Sequence, residues 1–141
     1  MKNYNILLVE DNEGDVLLTK EAFEESGFKN NLAIVNDGQE AINYLERISP
    51  FLEVDLPDII LLDINLPKLN GHEVLKYIKT NNNYKHIPVI MLTTSSSDVD
   101  VSACYANYAN CYITKPTDVT DFFNVINELN RFWLKTARLT K

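Results

Sequence analysis

Residues 56–67, LPDIILLDINLP, form the most informative stretch of this chain. The central residues 59–62 are all apolar and β-favouring and follow a Pro-Asp turn, which predicts a strand buried on both faces. Asp63 comes directly after them. Because ligands collect at the carboxyl ends of strands in open parallel α/β sheets, this carboxylate is a candidate for chemistry. Considered alone, it is equally typical of a solvated turn.

Four more segments have the length and apolar character of buried strands: residues 5–9, 32–35, 87–92 and 111–114. Five helical patterns alternate with the strands, and they begin after Asn12, at Asp37, after the turn at 67–71, at Asp98 and at Asp118. This alternation predicts a parallel sheet that helices cover on both faces through right-handed crossovers.

Capping residues and apolar periodicity give the predicted helix limits. The first helix ends at Ser26-Gly27, the second runs from Asp37, with Glu40 as in a capping box, to about Pro50, and the last spans residues 118–135. The positions expected to face the core are Leu18, Ala22 and Phe23 in the first helix, Ala41, Leu45 and Ile48 in the second, Val74, Leu75 and Ile78 in the third, and Phe122, Ile126, Leu129 and Trp133 in the fifth.

Length and composition limit the classes of function. We expect residues 1–141 to form a single domain with no output domain. The net charge of −7 disfavours a nucleic-acid partner. No segment approaches the roughly 20 apolar residues of a membrane span and the N-terminus lacks a signal-peptide pattern, so we expect no membrane association and a cytoplasmic location. Cys104 and Cys111 show no metal-ligand spacing and are expected to be reduced.

Four of the five predicted strands are followed by side chains with useful chemistry. Glu10 and Asp11 follow the first strand, Asp63 the third, Thr93 the fourth and Lys115 the fifth. In a parallel sheet these ends share one edge. Two carboxylates about 4 Å apart repel by about 4 kcal/mol at an effective dielectric constant of 20, so a cation is needed to offset them. Hard oxygen ligands with room for water suit Mg²⁺.

A phosphoryl group is the substrate that suits this combination. Asp63 can act as a carboxylate nucleophile while Mg²⁺ screens the negatively charged donor, and Thr93 and Lys115 can pair with phosphoryl oxygens. No glycine-rich loop, CxxC, HExxH or nucleophile elbow competes. The isolated His72 and His86 are expected at the surface.

Each residue of this set also has a simpler interpretation. Glu10 and Asp11 can provide favourable charge at the start of a helix. Residues 93–97 can form an ordinary hydroxyl-rich loop, and Lys115 can be an exposed strand end. Their joint occurrence at successive strand ends favours the phosphoryl site.

Five motifs match a known family in order and spacing: VEDN at 9–12, LLDINLP at 61–67, NG at 70–71, PVIMLT at 88–93 and YITKP at 112–116. With them the sequence resembles the receiver domain of two-component response regulators. The resemblance implies a flavodoxin-like, doubly wound α/β fold, a five-stranded parallel sheet of order 2-1-3-4-5 with five helices. LDINLPKLNG and ANCYITKP further resemble the stand-alone receivers that partner bacterial phytochrome histidine kinases.

The resemblance implies a role for each matching acid. Asp63 would be the phosphoacceptor. Mg²⁺ would be bound directly by Asp11 and Asp63, through water by Glu10, and by the backbone carbonyl of Asn65.

The implied switch residues follow the fourth and fifth strands. Lys115 would pair with the phosphoryl oxygens, and Thr93, with Thr94 beside it, would move toward them. Tyr112 holds the aromatic switch position and is expected to turn inward, and the bond from Lys115 to Pro116 is usually cis in this family. The added charge would change the surface of the fourth helix, fifth strand and fifth helix.

The implied function is a signalling switch that takes its phosphoryl group from a sensor histidine kinase, with a bacterial phytochrome as the candidate kinase. It would slowly lose this group and would not be an enzyme with a separate substrate. One alternative is a receiver-like interaction module that works without phosphate. A second is a phosphatase, but such enzymes usually have a second acid where Asn65 stands. A third is a flavodoxin-like cofactor binder, but Glu10 and Asp11 would repel the phosphate of its cofactor.

Two features depart from the family's pattern. Asn107 and Tyr108 stand where many receivers have Leu-Gly, and Asn107 is expected to supply a left-handed turn. Val119, Phe123 and Phe132 lie beside the core stripe of the last helix. They predict either a thicker core or an exposed apolar face for a homodimer.

Overall fold

The computed structural model describes residues 3–140 as five strands that alternate with helices. The strands are β1 (Tyr4–Val9), β2 (Asn30–Val35), β3 (Ile59–Leu62), β4 (Val89–Thr93) and β5 (Cys111–Thr114). The helices are α1 (Glu13–Glu25), α2 (Gly38–Leu45), α3 (Gly71–Thr80), α4 (Asp98–Ala106) and α5 (Val119–Asn130). A π-helical segment (Arg131–Thr136) continues α5. The strands form one parallel sheet in the order β2-β1-β3-β4-β5. This confirms the predicted fold.

The sheet separates two apolar clusters, one on each face. Successive residues of β3 alternate between them: Ile60 packs with α2 and α3, and Leu61 packs with α1 and α5. All four residues of β3 are 0% exposed, as a continuous apolar run predicts for a strand covered on both sides. Among residues 3–140, no helix has the length and apolar composition needed to cross a bilayer.

Helix α2 is shorter than predicted. It ends at Leu45, and Arg47 then adopts a left-handed conformation with φ of 55°. Ile48 therefore lies beyond the helix and is exposed rather than part of the core. The helical periodicity continued through Ile48 in the sequence, but the chain turns before reaching it. Asp37 caps α2 as predicted, whereas Glu40 accepts from the N–H of Asn36 rather than completing a capping box.

Both ends of α4 differ by one residue from the prediction. Ser97, not Asp98, is the N-cap and accepts a hydrogen bond from the N–H of Asp100. At the other end Asn107 keeps φ at −96°, and Tyr108 takes the left-handed conformation with φ of 69°. The N–H of Ala109 donates to the carbonyl of Cys104 at 3.0 Å, as in a Schellman motif, which requires the left-handed residue at Tyr108.

The last helix is not continuous α-helix through residue 135. Asn12 caps α1 as predicted and Asp118 is the N-cap of α5, but α5 ends at Asn130 and six π-helical residues follow. Leu134 is buried while Trp133 is only half-buried. Asn130 is fully buried, and its side-chain amide has no hydrogen-bond partner within the described residues.

Candidate functional site

The sheet brings the predicted site residues to one edge. Glu10 directly follows β1. Asp63 follows β3, and its N–H donates to the carbonyl of Val9, the last residue of β1, at 3.1 Å. Lys115 follows β5, and its N–H donates to the carbonyl of Thr93, the last residue of β4, at 2.7 Å. The backbone ladder therefore holds these strand ends side by side.

Three acids form a compact group at this edge. Carboxylate oxygens of Glu10, Asp11 and Asp63 lie within 4.8 Å of one another. Glu10 and Asp63 are buried and Asp11 is exposed, so one side of the group is open to water. Asn65 is exposed in the loop after β3. This set of hard oxygen donors, with space for water, fits Mg²⁺.

Lys115 is buried against these acids. Its side chain is 4% exposed and pairs with Glu10, with Asp15 at 2.9 Å and with Asp63 at 3.5 Å. Asp15 was not predicted as a site residue. Its signal in the sequence is weak, because an acid in the first turn of a helix is already explained by the helix dipole.

Burial perturbs the acid–base behaviour of the group. Desolvation raises the pKa of Glu10 from 4.5 to about 7; the charge of Asp63 adds to this rise, and the hydrogen bond from Lys115 opposes it. Burial alone would lower the pKa of Lys115, but its hydrogen bonds to Glu10 and Asp15 hold that pKa above its ordinary value. The ammonium therefore stays charged, and the Glu10 carboxyl loses its proton less readily than an ordinary glutamate.

Comparison with known proteins gives the family. Residues 6–127 match the family described as the response regulator receiver domain. This chain belongs to that family.

Among its relatives is the response regulator Rcp1 of Synechocystis, which is 42% identical over 134 residues, covering 95% of this chain and 91% of Rcp1. The probable methanogenesis regulatory protein FilR2 of Methanothrix harundinacea is also 42% identical, over 92% of this chain and 83% of FilR2.

Solved structures agree. The phosphorylated cyanobacterial phytochrome response regulator RcpA superposes with a TM-score of 0.96 at 40% identity, covering 99% of this chain and 100% of RcpA. The Mn²⁺-bound form of Rcp1 superposes with a TM-score of 0.94 at 40% identity, covering 98% and 99% of the two chains. A divalent metal is thus bound by a close structural relative of this receiver.

Close backbone packing at the start of α3 positions Asp63 in this receiver. Asp63 Oδ1 accepts from the N–H of Ile64 at 2.7 Å, and the N–H of Gly71 donates to the carbonyl of Ile64 at 2.8 Å. A Cβ on Gly71 would lie 2.2 Å from the carbonyl oxygen of Asp63, so α3 approaches this closely only with glycine. Asn70 and Glu73 form a capping box, which was not predicted from the sequence.

The receiver's switch residues meet in the loop between β4 and α4. Thr93 is fully buried, and Thr94 is exposed. The Ser95 N–H donates to Thr93 Oγ1 at 3.4 Å, and the Tyr112 hydroxyl donates to the Ser95 carbonyl at 2.8 Å. The Tyr112 ring packs against the apolar cluster that α2 and α3 cover. The movement of Thr93 and Tyr112 stays a prediction.

The expected cis bond between Lys115 and Pro116 is not found. Within residues 3–140 the cis peptide bond is Ser49–Pro50. The two forms of an X–Pro bond differ by only about 0.5–1 kcal/mol, so the residue pair itself does not decide between them.

His72 is not a free surface residue, in contrast to His86, which is exposed as predicted. Half-buried His72 hydrogen-bonds Asp100 at 2.9 Å through Nε2, and its Nδ1 lies 3.7 Å from the sulfur of Cys104. This resembles a Cys-His-Asp nucleophile arrangement. However, Cys104 is fully buried and desolvation raises its pKa to about 11, so its thiol stays protonated and out of reach. Cys111 is half-buried, and both cysteines are free.

The three residues proposed for a dimer face divide into two groups. Val119 and Phe132 are exposed, by 53% and 54%. Phe123 is half-buried and packs against the cluster that α1 and α5 cover. An apolar groove between β5 and α5 includes Ile113, Leu129 and Phe132. The exposed members alone are available to a partner.

Proposed function

We propose that this receiver is a phosphorylation-controlled switch whose Asp63 accepts a phosphoryl group in the presence of Mg²⁺. The observation that carries the proposal is the pairing of a carboxylate cluster with a buried ammonium: the oxygens of three acids lie within 4.8 Å of one another, and Lys115 Nζ lies 3.5 Å from Asp63. A solvated acidic surface has no need of a buried cation. A site that must accept a dianionic group does need one.

The chemistry is a nucleophilic displacement at phosphorus. An oxygen of Asp63 bonds to the phosphorus of a phosphohistidine while the phosphorus–nitrogen bond breaks, and the donor imidazole keeps the electron pair and takes a proton from water. Lys115 and the Thr93 hydroxyl bind the arriving oxygens. Mg²⁺, held by Asp11, Asp63, the Asn65 carbonyl and through water by Glu10, would neutralise charge on the transferred group.

The output is a change of surface. The phosphoryl group adds about −1.5 to −2 charges at the strand ends and attracts Thr93 and Lys115. Ser95 is hydrogen-bonded to both Thr93 and Tyr112, so a movement of Thr93 would displace Ser95 and Tyr112 and change the surface of α4, β5 and α5. The receiver loses its own phosphoryl group slowly and turns over no separate substrate, so its signal passes through a partner or a homodimer.

The proposed donor is a sensor histidine kinase of the bacterial phytochrome class, which uses cytoplasmic ATP. The resemblance to the phytochrome response regulator RcpA supports this class. The test compares phosphotransfer from a purified bacterial phytochrome kinase and from unrelated histidine kinases at equal concentrations. Equal or slower transfer from the phytochrome would contradict this donor.

The proposed homodimer uses the exposed members of the α5 face. Because Phe132 is 54% exposed while Phe123 packs partly in the core, Phe132→Asp tests the interface with less effect on the core than Phe123→Asp. We expect a lower mass in solution for this variant by light scattering. The same dimeric mass for both proteins would place the interface elsewhere, and a monomeric native chain would exclude it.

The deciding experiment is phosphate incorporation from acetyl phosphate, with and without Mg²⁺, followed by intact mass. We expect a Mg²⁺-dependent gain of one phosphoryl group in the native chain, no gain in Asp63→Asn, and a full gain in Asp98→Asn, which changes an exposed acid at the start of α4. No gain in native protein shown to be folded would refute the proposal. A receiver-like interaction module independent of phosphate would then be the better account.

A further inference from the structure

Asp15 is a fourth carboxylate at the site, contributed by the first turn of α1. Its Oδ2 lies 2.9 Å from Lys115 Nζ, whereas Oδ2 of Asp63 lies 3.5 Å away. Charge-assisted N–H···O bonds are about 2.7–2.9 Å long. Lys115 therefore hydrogen-bonds Glu10 and Asp15 and makes only a longer ion pair with Asp63.

The two hydrogen-bonded partners of Lys115 differ in their access to water. The side chains of Glu10 and Lys115 are 2% and 4% exposed, while that of Asp15 is 25% exposed. Water can solvate the Asp15 carboxylate after Lys115 leaves it, but it cannot reach Glu10 in the same way. Asp15 is therefore the partner that Lys115 can release at lower cost.

We propose that Asp15 is a positioning residue that restrains Lys115 and slows phosphoryl transfer to Asp63. This inference rests on the proposed function. An ammonium has three N–H donors, and two of them are used by Glu10 and Asp15. The third donor is available to a phosphoryl oxygen on Asp63, but the hydrogen bond to Asp15 helps to hold Nζ 3.5 Å from the Asp63 carboxylate, so Lys115 must release Asp15 to move closer to the transferred group.

The backbone contacts of Asp15 in α1 do not depend on its carboxylate. Its N–H donates to Asn12 Oδ1 at 3.0 Å, and its carbonyl accepts from the Thr19 hydroxyl at 2.7 Å. Asp15→Asn keeps both backbone contacts. Glu13→Gln is the matched control, because Glu13 is an exposed acid of the same helical turn that is not among the ion-pair partners of Lys115 in residues 3–140.

The test measures the initial rate of Asp63 phosphorylation from acetyl phosphate at saturating Mg²⁺, by intact mass against time. We expect Asp15→Asn to react about fivefold faster than the native chain, a factor that corresponds to one partly exposed ion pair. Glu13→Gln should react at the native rate. Asp15→Glu, which keeps the charge that holds Lys115, should restore a rate near the native one.

The outcomes separate this inference from the proposed function. The inference that Asp15 restrains Lys115 would be overturned by any of three results: equal rates for the native and Asp15→Asn proteins, a slower Asp15→Asn, or an equal acceleration in Glu13→Gln. None of these results would contradict the role of Asp63 as phosphoacceptor. No reaction in the native chain would overturn both. Circular dichroism and thermal unfolding of each variant ensure that the rates compare folded proteins.

Discussion

Replacing Gly71 with alanine adds a methyl group where α3 meets the loop that carries Asp63. The new Cβ would lie 2.2 Å from the carbonyl oxygen of Asp63, 2.6 Å from the Cα of Ile64 and 2.9 Å from the carbonyl carbon of Asp63. These three neighbours are backbone atoms, so no side-chain rotation relieves the overlap. Since comfortable contacts are about 3.5–4.0 Å, the helix or the loop must move by about 1 Å.

The expected cost follows from this geometry. Overpacking of a well-packed region costs about 1–3 kcal/mol. The displacement also weakens the hydrogen bond from the Gly71 N–H to the Ile64 carbonyl, which is 2.8 Å long, and a typical hydrogen bond contributes about 1 kcal/mol. The gain in helix propensity of alanine over glycine is at most about 1 kcal/mol. We expect Gly71→Ala to lower the free energy of unfolding by about 2–3 kcal/mol.

Two measurements test this expectation. Urea unfolding followed by circular dichroism gives the loss of stability, and the rate of phosphate incorporation reports the position of Asp63. A displacement of about 1 Å should slow incorporation by at least about tenfold. Gly14→Ala is the matched control: its Cβ would meet only the side-chain oxygen of Asn12, at 3.3 Å, and that side chain can adjust. It should lower the free energy of unfolding by no more than about 0.5 kcal/mol, and the helix propensity of alanine favours a gain.

A Gly71→Ala protein with native stability and a native rate would refute this reasoning. It would show that the start of α3 can retreat freely and does not position Asp63. Loss of stability with an unchanged rate would refute only the link between the helix and the site.

Three further expectations concern single residues elsewhere in the structure. Burial raises the pKa of Glu10 from 4.5 to about 7, so the stability that its protonated form contributes is complete below pH 4.5 and is lost as the pH rises through 7. Without metal, we expect the loss measured by urea unfolding to reach about 3 kcal/mol. Identical pH profiles for native protein and Glu10→Gln would contradict this expectation. Tyr108→Gly should raise the free energy of unfolding by about 0.5–1 kcal/mol because Tyr108 has φ of 69° and is 75% exposed; Tyr108→Ala, which keeps the strain, should not show this gain. Asn130→Leu should raise the free energy of unfolding by about 1 kcal/mol, because both polar atoms of the buried amide lack hydrogen-bond partners in the described structure. A variant that is less stable in thermal unfolding would contradict this reasoning.

The strands and their order along the chain were accessible from local patterns. The run of apolar residues 59–62 predicted a strand covered on both faces, and all four residues are fully buried. The Asn12 and Asp37 caps were also predicted correctly, because capping depends on a few neighbouring residues. The edge that gathers Glu10, Asp63 and Lys115 followed from the rule that parallel strands end together.

Two errors occurred where a local pattern in the sequence continued past the end of the helix. Ile48 kept the helical periodicity of α2 but lies outside it, and the pattern of residues 118–135 gave no sign of the π-helical segment after Asn130. Tyr108, not Asn107, takes the left-handed turn, although Asn has the better intrinsic preference. The position of a Schellman motif relative to the helix outweighs a propensity of this size.

The sequence by itself determined the α/β class, the strand that ends at Asp63, the acids and the lysine at the strand ends, and the family resemblance, because apolar periodicity, caps and motifs are local properties of a chain. Only the tertiary structure showed that Lys115 pairs with Asp15, 100 residues away, that Gly71 is required by a backbone contact with Asp63, and that His72 pairs with Asp100. These contacts depend on distances between elements that pack together, and electrostatic and steric energies depend on those distances rather than on separation along the chain.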